Sequence, residues 1–303
     1  MLSTKENVAK LSVFSVSLLI VMKVVASILT GSIAIRADAV HSAIDLLAVV
    51  VGYIGIRISG KPPDERHAFG HGKAENIASV VIAGLIFVAA GVIFYQAVTR
   101  LITGGTVEMV TVGIYVTTAA IAVNAFTSWC ALRVARATDS LALEATARDM
   151  FADVLSSCAV LVGLILVKLT GIAILDPIVA MLVAVVIART ACLTLKKSCG
   201  GLMDRRLPQV EENEIRSCIM EQGCQLVGFH DLRTRKAGAQ RFVDLHLVMP
   251  KNASVADAHR MCDRLEQRIK DRLPNTSITI HVEPCSEECR QCSVSCTIRD
   301  ESN

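Results

Sequence analysis

Six stretches of this chain, roughly residues 8 to 30, 38 to 58, 76 to 101, 109 to 133, 148 to 169 and 175 to 195, each approach the ~20 apolar residues that cross a bilayer as a helix. Hydrocarbon offers no water to backbone N–H and C=O groups, so such stretches must pair those groups internally. A bundle of helices is the architecture that follows. With 52% hydrophobic residues and a mean hydropathy of +0.51 over 303 residues, the chain is too apolar for an ordinary soluble domain. The first stretch exceeds a signal-peptide core and has no small-residue cleavage signature, so it reads as a retained span. An even number of spans puts both termini on one side. Lys5, Lys10, Arg57, Lys61, Arg66, Lys73, Arg133, Arg136, Arg148, Lys196, Lys197, Arg205 and Arg206 fall on that side, against Arg36, Arg100 and Lys168 on the other. The positive-inside bias makes the first side cytoplasmic. A net charge of +3 without a long basic run gives no footprint for nucleic acid.

Composition turns polar near Leu202, dividing the chain into a membrane domain, residues 1–203, a soluble domain, 204–284, and a tail, 285–303. In the soluble domain, residues 208 to 222 pattern as a helix, "GFHDLRTRKAG" and "QRFVDLHLVM" as strands, "VADAHRMCDRLEQRIKDRL" as an amphipathic helix and "SITIHVEP" as a strand. The expected fold is therefore an α-helical membrane protein of six transmembrane helices followed by a small cytoplasmic α+β domain in αββαβ order. Cys130, Cys158 and Cys192 share no spacing inside the apolar segments and are expected to be small core residues.

Ionisable groups at bilayer depth are costly and mark function. Two pairs stand out: His41 with Asp45 in the second span, and Asp149 with Asp153 in the fifth. A spacing of four places both members on one helix face, about 6 Å apart along the axis. Two such faces turned together offer one imidazole and three carboxylates, a donor set for Zn, Fe, Mn or Co rather than a soft monovalent ion. Asp38 and Asp176 lie near span ends, where capping accounts for them. In the loop "KPPDERHAFGHGKAE", Asp64, His67 and His71 offer one oxygen and two imidazoles, with Gly70 and Gly72 giving the backbone room to wrap an ion. The soluble domain carries His230, His246, His259, His281 and Glu283, whose convergence depends on the fold. In the tail, Cys285, Cys289, Cys292 and Cys296 are spaced as another metal-binding group or as a reduced, disordered segment.

The segments "ADAVHSAID", "KPPDERHAFGHGKAE", "ARDMFADVLSS", "GLMDRRLP", "GFHDLRTR" and "LHLVM" together resemble the cation diffusion facilitator family of divalent-metal/proton antiporters, nearest the bacterial zinc and ferrous-iron efflux branch. The resemblance runs to about Pro284. It implies that His41, Asp45, Asp149 and Asp153 form the transport site and that Asp64, His67 and His71 form a loop site. It also implies that His230, His246, His281 and Glu283, with His259 nearby, form a binuclear site at a cytoplasmic dimer interface. Lys73 and Asp204 match a charge pair linking the membrane domain to that dimer, and the soluble fold is implied to be metallochaperone-like. The chain departs from the branch in that Glu283 stands where an Asp is common and, more consequentially, in that its transport histidine stands on the second span rather than the fifth. Asp-x-x-x-Asp on the fifth also resembles the manganese branch.

The implied function is efflux of a cytoplasmic divalent metal, zinc first and iron or manganese next, in exchange for external protons. It proceeds by alternating access in a homodimer in the bilayer of a prokaryotic inner membrane, with metal acting also as regulator and no organic cofactor. An intramembrane hydrolase could use paired aspartates or a metal-activated water. The chain has no His-Glu-x-x-His, however, and no enzymatic activity is expected. A non-transporting membrane metal sensor or assembly scaffold is the remaining alternative, which metal flux would separate from transport.

Overall fold

The computed structural model describes residues 4–30, 33–103, 111–170, 172, 174–221 and 227–285, with the backbone alone at 26–27, 29–30, 33–41, 111–114, 116, 160–161, 163–168 and 176. The side chains of His41, Asp38 and Asp176, and the whole of Cys289, Cys292 and Cys296, lie outside the described residues. The described chain forms two units, Met1–Leu202 and Met203–Asn303.

In the first unit, long helices run as α1 (Lys5–Thr30), α2 (Ile33–Ser59), α3 (Lys73–Thr103), α4 (Thr111–Thr138), α5 (Leu141–Thr170) and α6 (Leu175–Leu202). Five of them, α1 to α4 and α6, hold described windows long and apolar enough to cross a membrane. Their burial is that of a soluble helix turned inside out. Large apolar side chains such as Phe14, Val88 and Leu182 are 66%, 64% and 64% exposed, whereas small and polar residues such as Ala142, Ala145, Ser12 and Ser79 are buried. Lipid is as apolar as leucine, so helices in it associate through small residues that allow close approach. Gly52 and Gly55, nearly one turn apart on α2, show this: a methyl at Gly52 would overlap Thr146 of α5, and one at Gly55 would overlap Ala78 of α3. That closeness seats α2 against α5, the two helices that carry the paired ionisable residues.

Several helices outrun the apolar stretches. α5 begins at Leu141, with the Ser140 hydroxyl accepting from the Leu143 N–H at 3.4 Å, so Arg148 lies two turns inside the helix. It pairs with Glu144 at 2.6 Å and donates to Thr194 Oγ1 of α6 at 3.0 Å. The first turn of α3 carries Glu75, which is fully buried. Its carboxylate accepts from Lys5 of α1 at 2.6 Å, Ser59 of α2 at 2.9 Å and Ser140 at 2.7 Å. A buried carboxylate is tolerated when its lone pairs are used in this way. The cysteine expectation needs correcting at one position. Cys130 and Cys158 are half-buried, but Cys192 is exposed on α6, because an apolar segment in a membrane protein has a lipid-facing side as well as a core.

The second unit has α7 (Gln209–Met220), β1 (Gly228–Ala237), β2 (Gln240–Met249), α8 (Val255–Arg272) and β3 (Thr276–Pro284), the expected αββαβ order. β1 and β2 form an antiparallel hairpin, and α8 crosses over so that β3 pairs parallel to β2. The Ser254 hydroxyl caps α8 by accepting from the Asp257 N–H. Val243, Leu245, Leu247 and Met249 alternate along β2 onto one face and pack with Met261, Leu265 and Ile269 of α8 and with Ile215 and Ile219 of α7. Both helices thus cover one face of the sheet.

Candidate functional sites

In the membrane unit, Asp45 of α2 and Asp149 and Asp153 of α5 line one cavity of about 10 Å³, the room of a single water-sized sphere. Three further polar residues complete its wall: Ser42 of α2, Asn124 of α4 and Lys23 of α1. Val16, Val49 and Met150 form a buried apolar cluster at the same place, from α1, α2 and α5. Asn124 donates its amide Nδ2 to Asp153 Oδ2 at 2.5 Å. That bond fixes the amide, since a carboxylate can only accept, and leaves the carbonyl oxygen facing the other way. Asn124 Oδ1 and Asp149 Oδ2 are both buried without a hydrogen-bond partner. Unpartnered buried oxygens cost free energy and commonly mark a place for an ion or water. Three carboxylates at one ion-sized space, one of them with a partnerless oxygen, fit a cation better than they fit an empty core. His41 is on α2 one turn before Asp45.

Lys23 and Asn124 are absent from the residues singled out by sequence. Lys23 was legible as a lone ammonium inside "LLIVMKVVAS". Asn124 carries no charge and no spacing cue, so only packing brings it to Asp153.

The loop between α2 and α3 brings Asp64, His67 and His71 together, with ligand atoms within 4.8 Å of one another. Asp64 organises the turn: its Oδ1 accepts from the N–H groups of Arg66 at 2.9 Å and His67 at 2.7 Å. The His67 N–H is foremost in holding the Asp64 carboxyl below the usual carboxylate range. His67 Nδ1 lies 3.2 Å from Asp64 Oδ1, and His71 Nε2 lies 3.4 Å from Asp64 Oδ2. Gly70 has φ of +77°, a left-handed conformation that a side chain would strain, and it turns the chain from His67 toward His71. His71 stands just before α3, and its Nδ1 is enclosed without a partner. One carboxylate and two imidazoles fit a divalent ion with nitrogen and oxygen preference.

In the second unit the sheet register does what the sequence could not. His230 sits opposite His246 on β2, and His246 sits opposite His281 on β3, so three imidazoles form a row across the sheet. Ring centroids are 5.2 and 4.8 Å apart. Because the flanking Leu245 and Leu247 face the helices, the row occupies the opposite face. A one-residue bulge follows His230, with Asp231 at φ of 51°, letting β1 keep its pairing on either side. Glu283, two residues beyond His281 on the same face, binds the row together. It approaches His246 Nδ1 at 2.9 Å, His230 Nε2 at 3.3 Å and His281 Nε2 at 3.6 Å. His259 does not join this group. Its ring pairs with Asp263 at 3.5 Å, and it borders a cleft of about 530 Å³ along β3 to which Glu283 also contributes.

Cys285 is buried at the end of β3. Lys73 donates to the Leu202 carbonyl at 3.3 Å within the first unit, and Asp204 pairs with Arg235 at 3.4 Å within the second.

A family model described as the cation efflux transmembrane domain matches residues 9–203, and one described as the cytoplasmic domain of cation efflux proteins matches residues 207–285. The cation-efflux pump FieF of Cronobacter sakazakii is 35% identical over 274 residues, 89% of either chain. The uncharacterized transporter sll1263 of Synechocystis is 34% identical over 266 residues, 88% of this chain and 86% of that one. Among solved structures, the Zn form of the transporter CzrB is 40% identical, with a TM-score of 0.26, covering 29% of this chain and 99% of that one. With both of its domains matched in order, the chain belongs to the cation diffusion facilitator family of multi-pass cation efflux transporters.

Proposed function

We propose that this transporter exports a divalent cation, zinc first and iron(II) or manganese(II) next, from the cytoplasm in exchange for protons, as a homodimer with alternating access. The observation that carries this reading is the ion-sized cavity between α1, α2, α4 and α5, where Asp45, Asp149 and Asp153 converge and Asp149 Oδ2 has no partner. His41, one turn from Asp45, supplies the fourth donor. Cation and proton compete for the same lone pairs, so protons arriving from outside expel the ion, and loading from inside expels protons. That competition couples the two fluxes. Three hard oxygens against one imidazole leave room for iron and manganese beside zinc.

Both termini lie in the cytoplasm of a prokaryotic cell whose inner membrane holds the spans. Asp64, His67 and His71 would hold a second metal at the cytoplasmic mouth. His230, His246, His281 and Glu283, with His259 at the flank, would hold metal on the sheet face opposite α7 and α8, where a second protomer would dock. Ligation there would report the cytoplasmic metal level. By the family resemblance Lys73 and Asp204 would act as a charge pair, and the tail thiols Cys285, Cys289, Cys292 and Cys296 would collect metal.

Proteoliposomes containing a metal-sensitive dye test the transport reading. A pH gradient is expected to drive zinc uptake, and Asp153→Ala to abolish it. Unchanged uptake by that variant sinks the site assignment. Absence of flux in the unmodified protein would favour a metal sensor or scaffold instead.

A further inference from the structure

The side chain of Lys23 is buried. It is 4% exposed, in the last third of α1, and seven residues, or about 10 Å along the axis, separate it from the helix end at Thr30. A lysine stem reaches the interface only from near a helix end. Here the ammonium instead crosses to α2 and donates to Ser42 Oγ at 2.7 Å, and it lines the same cavity as Asp45, Asp149 and Asp153. Val16 and Leu19, earlier on the same face of α1, meet it there. A buried ammonium that only tied α1 to α2 would be an expensive choice, because a glutamine would donate to Ser42 without a charge to desolvate.

We infer that Lys23 is the internal counter-charge that sets the valence of the transport site. The inference rests on the transport reading above. Ligation requires the carboxylates ionised and His41 neutral. Three carboxylates and one ammonium then leave the cavity at minus two, and a dication brings it to neutrality. A monovalent ion leaves a buried negative charge and a trivalent ion a buried positive one, each of which a low-dielectric site penalises. Without the ammonium, the neutral loaded state belongs to a trivalent ion. The ammonium also repels the bound dication. It weakens binding and speeds departure, so Lys23 is a specificity-determining residue that trades affinity for turnover.

The test uses the full-length protein in proteoliposomes, with zinc as the transported ion and lanthanum as a trivalent competitor. Lys23→Gln keeps a donor for Ser42 and removes the charge, and Lys23→Arg keeps the charge. For Lys23→Gln the zinc KM is expected to fall about tenfold or more, since unit charges that share one small cavity interact by roughly a decade of affinity or more. Its kcat should fall too, and lanthanum should inhibit at least about tenfold more tightly than in the unmodified protein. Lys23→Arg should restore the zinc KM and the exclusion of lanthanum. A tether between helices predicts the opposite pattern, with zinc KM and lanthanum inhibition unmoved in Lys23→Gln, and that result overturns the inference. If Lys23→Gln does not fold, Lys23→Arg decides: a folded arginine variant that admits lanthanum refutes the charge argument. Failure of the unmodified protein to move zinc would remove the transport reading itself, whereas normal zinc flux with an unaltered Lys23→Gln profile removes only the role of Lys23.

Discussion

Asn124→Leu removes the amide that holds Asp153 while keeping the same number and branching of side-chain heavy atoms. In the native site, Nδ2 donates to Asp153 Oδ2 at 2.5 Å, a short bond to a carboxyl oxygen in a cavity with room for one ion. Hydrogen bonds to charged groups contribute about 1.5–3 kcal/mol. At 1.4 kcal/mol per decade, the loss amounts to roughly 10- to 150-fold. Residues that orient a metal ligand through a hydrogen bond give a similar range, about 10- to 100-fold in affinity. Zinc uptake under a fixed pH gradient should therefore show kcat/KM reduced by roughly 10- to 150-fold. Asn124→Asp sets a second carboxylate against Asp153 where the native site has a donor, and should be no better than the leucine variant. A leucine variant within twofold of the native kcat/KM refutes the claim that Asn124 positions Asp153, whatever the cavity's cargo.

At the end of the bundle that carries the α2–α3 loop, Glu75→Gln keeps the shape of the buried side chain but weakens its bonds to Lys5, Ser59 and Ser140. Lys5 is 28% exposed and can rehydrate, so the cost falls mainly on the serine bonds, at about 1–3 kcal/mol. The detergent-solubilised protein should melt roughly 2–10 °C lower, and an unchanged melting temperature would show that the cluster is not structural. In the second unit, burial works to raise the pKa of Glu212, but the Thr234 hydroxyl and Arg206 guanidinium outweigh it, and the carboxyl sits below its usual range. Its depressed folded pKa means the unfolded chain binds more protons between the two values, so stability rises with pH there and is lost as pH falls through the folded value. Amide exchange at α7 and β1 in the full-length protein should stay protected down past the ordinary glutamate range, and Thr234→Val should move the loss of protection to higher pH. Protection that fails at the same pH in both proteins would count against this assignment.

Much of the fold follows from local chemistry. Apolar runs of membrane length must be helical wherever lipid surrounds them, which is why α1 to α4, α5 and α6 could be located from composition. Strand alternation in "QRFVDLHLVM" and the amphipathic period of "VADAHRMCDRLEQRIKDRL" similarly mark β2 and α8. Helix ends were less legible. Leu141 to Arg148 are not uniformly apolar, yet Ser140, Glu144 and Arg148 find partners that continue α5 beyond the hydrophobic stretch.

The paired ionisable residues on the second and fifth spans were visible because spacing along one helix is a property of the chain. Their company was not. Asn124 meets Asp153 across 29 residues of sequence, Lys23 meets Ser42 across 19, and His230 and His281 each meet His246 through strand register. The sequence alone determined which groups had to be kept from lipid and which lay on a common helix face, since hydropathy and helical period act locally. Only the tertiary structure decided which charges share a cavity and which imidazoles share a row, because those distances arise from how close helix backbones can approach and how strands align.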